Sequence, residues 1–464
     1  MTEINNTEGI YFIGIGGIGM SALARYFLAG GFTVCGYDRT ESSITISLSE
    51  EGCDISYNDD LSSLPAFFSD PDTRDKVLII YTPAIPSHNN IFSFFRNNNY
   101  KILKRSEVLG EISEKTDTLA VSGTHGKTTI STMLAHILKQ SHIGCSAFLG
   151  GISKNYDSNL LLGESRFTVM EADEFDRSFH RLHPLMAVVT SVDADHLDIY
   201  GDHLTMIAAY NEFCAKIREG GNLVINSKIR DKIITPEGVT VFTYGLSEEA
   251  DFRSFNIRQS GASYKFDLKA PDKIIEDISF NFPGIINIEN ATSASAIALL
   301  CGVSGQELRK ALITFRGVQR RFDIRINYPG LVYIDDYAHH PEEIKACIIS
   351  VKEYFGGRRI TGIFQPHLYS RTRDHADGFA RILDILDDVI LLPVYPARER
   401  PIEGVSSEMI FERMRLQKKR LLRKEDIPGK LDIDNLDVLL TIGAGDIDRL
   451  VAPIEKALKR RRRK

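Results

Sequence analysis

The 464-residue sequence has few of the marks of a secreted, membrane-spanning or nucleic-acid-binding chain. Its six cysteines, Cys35, Cys53, Cys145, Cys214, Cys301 and Cys347, are scattered, with no C-x-x-C pair and no metal-ligand spacing. In a chain of this length they read as reduced core residues of a cytosolic protein. No run approaches the roughly 18 consecutive apolar residues of a membrane helix. The polar, acidic segment Met1–Gly9 is unlike a signal peptide. A basic surplus is also missing: the formal net charge of −6 argues against a protein built mainly to hold nucleic acid. The one exception, Lys459-Arg460-Arg461-Arg462-Arg463-Lys464, reads as a solvated tail. Low-complexity linkers and short-period repeats are absent too. The expected class is a cytoplasmic globular protein without membrane or nucleic-acid partners.

What is present is ordinary in bulk and specific in detail. An apolar fraction of 43% and a charged fraction of 25% fit a folded chain, and the length suits about three domains. The first segment opens with an apolar strand, Ile10 to Ile13, running into Gly14-Ile15-Gly16-Gly17-Ile18-Gly19. Met20, Leu23, Ala24, Phe27 and Leu28 then recur at helical spacing. Strand, glycine turn and helix let a backbone approach a diphosphate and aim helix N–H groups at it. A second strand, Thr33 to Tyr37, ends at Asp38, where a Rossmann fold places its ribose-binding acid. By themselves these residues read as a nucleotide-diphosphate site, most often filled by a nicotinamide cofactor, or as a structural turn.

The second segment holds a β-rich run, Thr118 to Ser122, then Gly123-Thr124-His125-Gly126-Lys127-Thr128-Thr129, then a helix predicted from about Thr129 to Lys139. This is P-loop architecture with a shortened loop, since Val121 stands where the usual pattern has its first glycine. Its N–H groups suit phosphates, Lys127 suits the β/γ oxygens and the Thr128 hydroxyl suits Mg²⁺. Two further strands end in acids, one at Glu171-Ala172-Asp173-Glu174 and one at Asp193-Ala194-Asp195-His196. Carboxylates there are natural Mg²⁺ ligands, with His196 able to complete a second site. Each acid alone is more often a cap or a solvated loop residue.

The third segment begins near Gly317. Its first predicted strand, Leu331 to Ile334, ends in Asp335-Asp336-Tyr337-Ala338-His339-His340-Pro341, and the proline opens a helix. The strand Ile360 to Phe364 ends in Gln365-Pro366-His367-Leu368-Tyr369-Ser370-Arg371-Thr372. The strand Val438 to Ile442 closes on Gly443-Ala444-Gly445-Asp446. Strands alternating with helices predict α/β architecture throughout. The domains are placed at residues 1–112, 113–316 and 317–464: Rossmann-like, P-loop ATPase type, and again Rossmann-like.

Together these motifs resemble the Mur ligases, which extend the peptide of bacterial cell-wall precursors. The likeness runs from about residue 9 to 450. It rests on Gly14–Met20, Gly123–Thr129, Glu171–Glu174, Asp335–Pro341 and Phe364–Thr372. Gly14–Met20 is nearest to the branch that joins L-alanine to UDP-N-acetylmuramate. The resemblance implies that Gly16, Gly17, Ile18 and Gly19, with Asp38, Arg105 and Ser106, bind the UDP-sugar. It assigns ATP to Gly123–Thr129 with Lys127, helped by Asn287, Asn290, Arg321 and Asp336. Thr128, Glu171 and His196 would ligate Mg²⁺ (or Mn²⁺). His339, His367 and Arg371 would receive the amino acid, and Lys127, His196, His339 and Arg371 would be catalytic, His339 as the base. Ile286 stands where the family often has histidine, and Leu368 where it often has arginine, which puts more of the carboxylate binding on Arg371. A monomer or weak homodimer is expected, with the third domain closing over the second.

The implied reaction activates the sugar's carboxylate as an acyl phosphate, which the amine of alanine then attacks. A nicotinamide dehydrogenase would leave the P-loop and its acids without a task. Folylpolyglutamate synthase needs no N-terminal glycine turn. A sister ligase that reattaches recycled peptides has a different opening turn. A non-catalytic P-loop regulator would not need Asp335–Pro341 or His367–Arg371.

Overall fold

The computed structural model describes residues 6–86, 88–194, 197–260, 263–397 and 399–461. Among the described residues the chain folds as α/β throughout, with three sheets of five, ten and six strands. It forms two compact units: Met1–Arg258 with Lys265–Asn281 and Glu289–Arg316, and Gln259–Tyr264 with Phe282–Ile288 and Gly317–Lys464.

The first sheet has the order Asp54–Ser56, Thr33–Tyr37, Gly9–Ile13, Val77–Tyr81, Lys101–Lys104, all parallel. Gly9–Ile13 lies at its centre and is buried at all five positions, which is why it reads as an unbroken apolar run. Winding reverses beside this strand, so a crevice opens at its carboxyl end. The glycine turn sits there.

In the second sheet Asp117–Ser122 lies between Met186–Val189 and Phe167–Glu171, parallel to both. Val121 is level with Glu171 and Ser122 with Val189, so the P-loop leaves the sheet between the two acid-rich strand ends. The helix after it begins at Lys127, two residues earlier than predicted, and Thr128 to Leu138 are all buried. The Ser146–Ser153/Ser158–Leu161 hairpin and the Phe252–Ser260, Ser263–Ala270 and Lys273–Phe280 strands extend the sheet beyond the predicted strands.

The third sheet corrects another expectation. Its first strand is Asp323–Tyr328, antiparallel to Leu331–Asp336, while the remaining pairs are parallel. Polar Asp323, Arg325 and Asn327 alternate with Ile324, Ile326 and Tyr328 along this strand, which hid it from an apolar-run criterion. Asp335 and Asp336 are the last residues of the second strand, both buried, and do not lie in the loop beyond it. All six cysteines are free; five are buried and Cys301 is half-buried. Among the described residues no helix is long and apolar enough to cross a membrane.

Candidate active site

Glycine stands in the turn after the first strand for steric reasons. Gly14 has φ +89°, and a Cβ there would lie 2.7 Å from Thr82 Cγ2. The Gly16 N–H donates to Asp38 Oδ2 at 2.8 Å. Gly17 precedes the Ile18–Ala29 helix with no side-chain cap, the arrangement in which an anion can satisfy the helix start. Arg105 occupies the space that a side chain on Gly19 would need. Arg105 and Ser106 open the Arg105–Lys115 helix, and Arg105 Nη2 lies 3.8 Å from Asp173 Oδ2. The glycines, Ile18, Asp38 and Arg105 therefore meet at one strand end. Asp38, read from the sequence as a ribose ligand, uses its carboxylate on the turn's own backbone.

The P-loop is held just as closely. Gly123 (φ +125°) and Gly126 (φ +82°) are both left-handed, and a Cβ on Gly123 would collide with Thr190. The Thr124 N–H donates to the Ser191 carbonyl and the His125 N–H to Ser191 Oγ, each at 3.1 Å. His125 Nε2 lies 3.4 Å from Asp193 Oδ2, and the hydrogen bond from His125 lowers the Asp193 carboxyl below its ordinary range. Thr128 Oγ1 donates to Glu171 Oε1 at 3.1 Å. Glu171 fits because residue 150 is glycine; a Cβ there would fall 2.6 Å from Oε1. Lys127 Nζ donates to both oxygens of Glu174, at 2.8 and 2.7 Å. Burial alone would depress the lysine, but the carboxylates of Glu174, Asp173 and Glu171 outweigh it and raise the ammonium above its ordinary value. Burial pushes the Glu174 carboxyl up to about 7 against the pull of Lys127. Asn290 lies beside Gly126, where a Cβ would be 3.0 Å from its Oδ1. Asn287, three residues earlier in the Ile285–Leu300 helix, donates through Nδ2 to the Pro283 carbonyl and belongs to the other compact unit.

Thr128 and Glu171 suit Mg²⁺, which takes few protein oxygens and completes its shell with water and phosphate. Among the described residues no group of three or more His, Cys, Asp or Glu side chains forms a protein-only cage. His196 lies outside the described residues.

In the second unit, His339, His367 and Arg371 form one corner. The His339 and His367 ring centroids are 6.0 Å apart, and Arg371 Nη1 lies 3.4 Å from His367 Nδ1. His339 Nδ1 lies 3.1 Å from the Tyr337 carbonyl, an acceptor only, which places the neutral ring's proton on Nδ1 and its lone pair on Nε2. Burial lowers the His339 value below the usual 6.5, against Glu343. Asp336 accepts the Phe322 and Ala338 N–H groups at 2.7 Å each, and burial lifts its carboxyl to about 6. Arg321 lies over the Tyr337 ring at 5.0 Å, while its neighbour Arg320 pairs with buried Asp335 at 3.1 Å.

Three family models match in succession: "Mur ligase family, catalytic domain" over residues 9–116, "Mur ligase middle domain" over 121–298 and "Mur ligase, glutamate ligase domain" over 320–445. The chain belongs to the Mur ligase family. Among Mur ligases it is 49% identical over 463 residues to a UDP-N-acetylmuramate–L-alanine ligase of Parabacteroides distasonis, covering all of both chains. It is also 49% identical over 454 residues to the enzyme of that name from Porphyromonas gingivalis, covering 97% of this chain and 99% of the relative. The crystal structure of a UDP-N-acetylmuramate–alanine ligase from Thermotoga maritima superposes with a TM-score of 0.81 at 28% identity, over 98% of this chain and 99% of that one. A murein peptide ligase from Psychrobacter arcticus shares the fold, with a TM-score of 0.72 at 21% identity over 97% and 98% of the two chains.

Several residues of this Mur ligase in and around these corners lie outside the predicted site set. Glu174 is predicted only as part of an acid cluster. Tyr395 stacks on His367 at 5.8 Å and 22°, and Glu399 accepts the Ser370 N–H at 3.0 Å. Gln365 donates to Asp446 Oδ1 at 2.8 Å and accepts the Ile447 N–H at 2.8 Å, tying two strand-end motifs together. Glu174, Gln365 and Asp446 carried a sequence signal, since they lie in the quoted motifs; Tyr395 and Glu399 carried none.

Proposed function

We propose that this chain joins L-alanine to the lactyl carboxylate of UDP-N-acetylmuramate at the expense of ATP, in the synthesis of peptidoglycan precursors. The observation that carries this reading is the set Lys127, Thr128 and Glu171 gathered at one strand end beside left-handed Gly123 and Gly126. The 49% identity to alanine-adding ligases along the whole chain supports the choice of substrates.

The difficulty in the reaction is chemical. A carboxylate resists an amine because its oxygen is a poor leaving group. One carboxylate oxygen attacks the ATP γ-phosphorus and ADP leaves, which makes an acyl phosphate. The neutral amine of alanine then adds to the acyl carbon, and the tetrahedral intermediate expels phosphate to give the amide. The protein positions and neutralises. The turn at Gly16–Gly19 with Arg105 and Ser106 holds the diphosphate of the UDP-sugar, and Asp38 holds the turn. The Gly123–Thr129 loop and Lys127 hold the ATP phosphates with Asn290 beside Gly126, and the family resemblance extends a nucleotide role to Asn287, Arg321 and Asp336. Thr128, Glu171 and His196 would hold Mg²⁺, whose charge would offset the crowding of anionic oxygens. Arg371 and His367 receive the alanine carboxylate, and His339 Nε2 takes the ammonium proton. A cytoplasmic location is part of the same reading.

The test is phosphate release from ATP and Mg²⁺ with UDP-N-acetylmuramate, with and without L-alanine. Release that needs both, matched by a UDP-muramyl-alanine product, is expected. Turnover only with a preformed peptide would transfer the chain to the recycling branch. No turnover from folded, ATP-binding protein would leave a nucleotide-binding regulator.

A further inference from the structure

All three N–H donors of the Lys127 ammonium are engaged inside the protein. Two go to Glu174, at 2.8 Å to Oε1 and 2.7 Å to Oε2, and one to the Gly123 carbonyl at 2.8 Å. Glu174 is 1% exposed. Its main chain is pinned as well: the Tyr200 hydroxyl donates to the Glu174 carbonyl at 2.6 Å, and the Arg177 N–H does so at 3.0 Å. Arg177 and its neighbour Asp176 both have φ +53°, so the segment turns sharply just after the glutamate.

A polyphosphate in this loop needs the same lysine. It gains a donor only if Lys127 releases a bond to Glu174 or to Gly123. Two anions around one ammonium repel each other, and a buried carboxylate that loses its partner is costly. We propose that Glu174 is a positioning residue that holds Lys127 as an internal stand-in for the nucleotide phosphates and competes with them for it. This rests on the ATP-binding reading of the loop. Without nucleotide the pair spares the site an uncompensated buried ammonium and keeps the lysine beside the loop. With nucleotide the exchange of one anion for another lowers affinity, which favours release of ADP after each turnover.

The test is calorimetric titration of the full chain with ADP, without metal, on wild type, Glu174→Gln and Glu174→Asp. Glutamine keeps the shape and one acceptor but removes the competing charge. Its ADP dissociation constant is expected to fall about tenfold or more, and that of the shorter aspartate to fall by less. In turnover with Mg²⁺, KM for ATP and kcat of Glu174→Gln are expected to fall together, since product leaves more slowly and the lysine is less firmly aimed. A purely structural ion pair would give weaker nucleotide binding in both variants. Folded Glu174→Gln with unchanged or weaker ADP binding overturns the proposal. If Glu174→Gln does not fold, Glu174→Asp decides: tighter binding than wild type supports competition, and equal or weaker binding overturns it. A wild-type chain that binds no nucleotide is a separate result, which removes the ATP reading and this proposal with it.

Discussion

Asp38 Oδ2 accepts the N–H of Gly16 at 2.8 Å, tying the end of the second strand to the turn that follows the first. A Cβ on Gly16 would fall 2.8 Å from that same oxygen and 2.8 Å from Thr45 Cγ2. Gly16→Ala must therefore push the carboxylate off the turn. Overpacking of this kind costs about 1–3 kcal/mol, read by urea unfolding. KM for the UDP-sugar is expected to rise about tenfold or more with KM for L-alanine little changed. An unchanged KM for the UDP-sugar would remove the glycine turn from the binding site.

Asn159, fully buried, donates to the Ile18 carbonyl and to Ser21 Oγ and accepts from Arg25. It fastens the first turn of the helix after the glycine motif to the Ser158–Leu161 strand of the second sheet. Asn159→Ala strands these partners, at a cost of about 2–3 kcal/mol. The same chemical denaturation series measures it. A loss under about 0.5 kcal/mol would mean that water replaces the amide, which its full burial argues against.

His136 is 2% exposed, with Nδ1 3.0 Å from the Tyr156 hydroxyl and Nε2 3.1 Å from the Ala311 carbonyl. Burial lowers it to about 4, below the ordinary 6.5. Between those values the unfolded chain binds a proton that the native chain refuses, so its contribution is complete above pH 6.5 and drains away as pH falls toward 4. The stability gap between wild type and His136→Gln is expected to narrow by about 2 kcal/mol from pH 7 to pH 5. A gap independent of pH would show that His136 takes up its proton in the fold at the same pH as in the unfolded chain.

Arg371 stands beside His367 in the corner that the resemblance gives to the amino acid. Arg371→Ala is expected to raise KM for L-alanine about 10- to 100-fold, the worth of a charge-assisted hydrogen bond. KM for ATP should move much less. Arg371→Lys should recover little, because a point charge does not reproduce the planar fork. Equal rises in both KM values would place Arg371 outside the amino-acid corner.

His339 must be neutral to take a proton from the alanine ammonium. Its value lies below 6.5, so the acid limb of the rate should lie below that pH. His339→Asn is expected to lower kcat by about 10²- to 10⁴-fold and to abolish that limb. A limb that survives the substitution would assign the base to another group.

The strands that were legible in the sequence are those buried on both faces, such as Gly9–Ile13 and Val438–Ile442, because burial on both sides demands an unbroken apolar run. The glycine loops were legible because left-handed backbone at Gly14, Gly123 and Gly126 is a local need. The half-buried Asp323–Tyr328 and the Lys273–Phe280 edge mix polar with apolar positions and carry no such mark. Nor did any spacing say which carboxylate of Glu171, Asp173 and Glu174 meets Lys127. That pairing spans 47 residues, and it depends on the Phe167–Glu171 strand lying beside Asp117–Ser122. The contacts of His136 with Ala311 and of Gln365 with Asp446 are likewise set by which elements become neighbours. Periodicity and turn chemistry are properties of adjacent residues, so the sequence alone determined the α/β class, the glycine turns and the residue types available for chemistry. Partnership between distant side chains depends on sheet order and on what burial leaves within reach, and only the tertiary structure decided it.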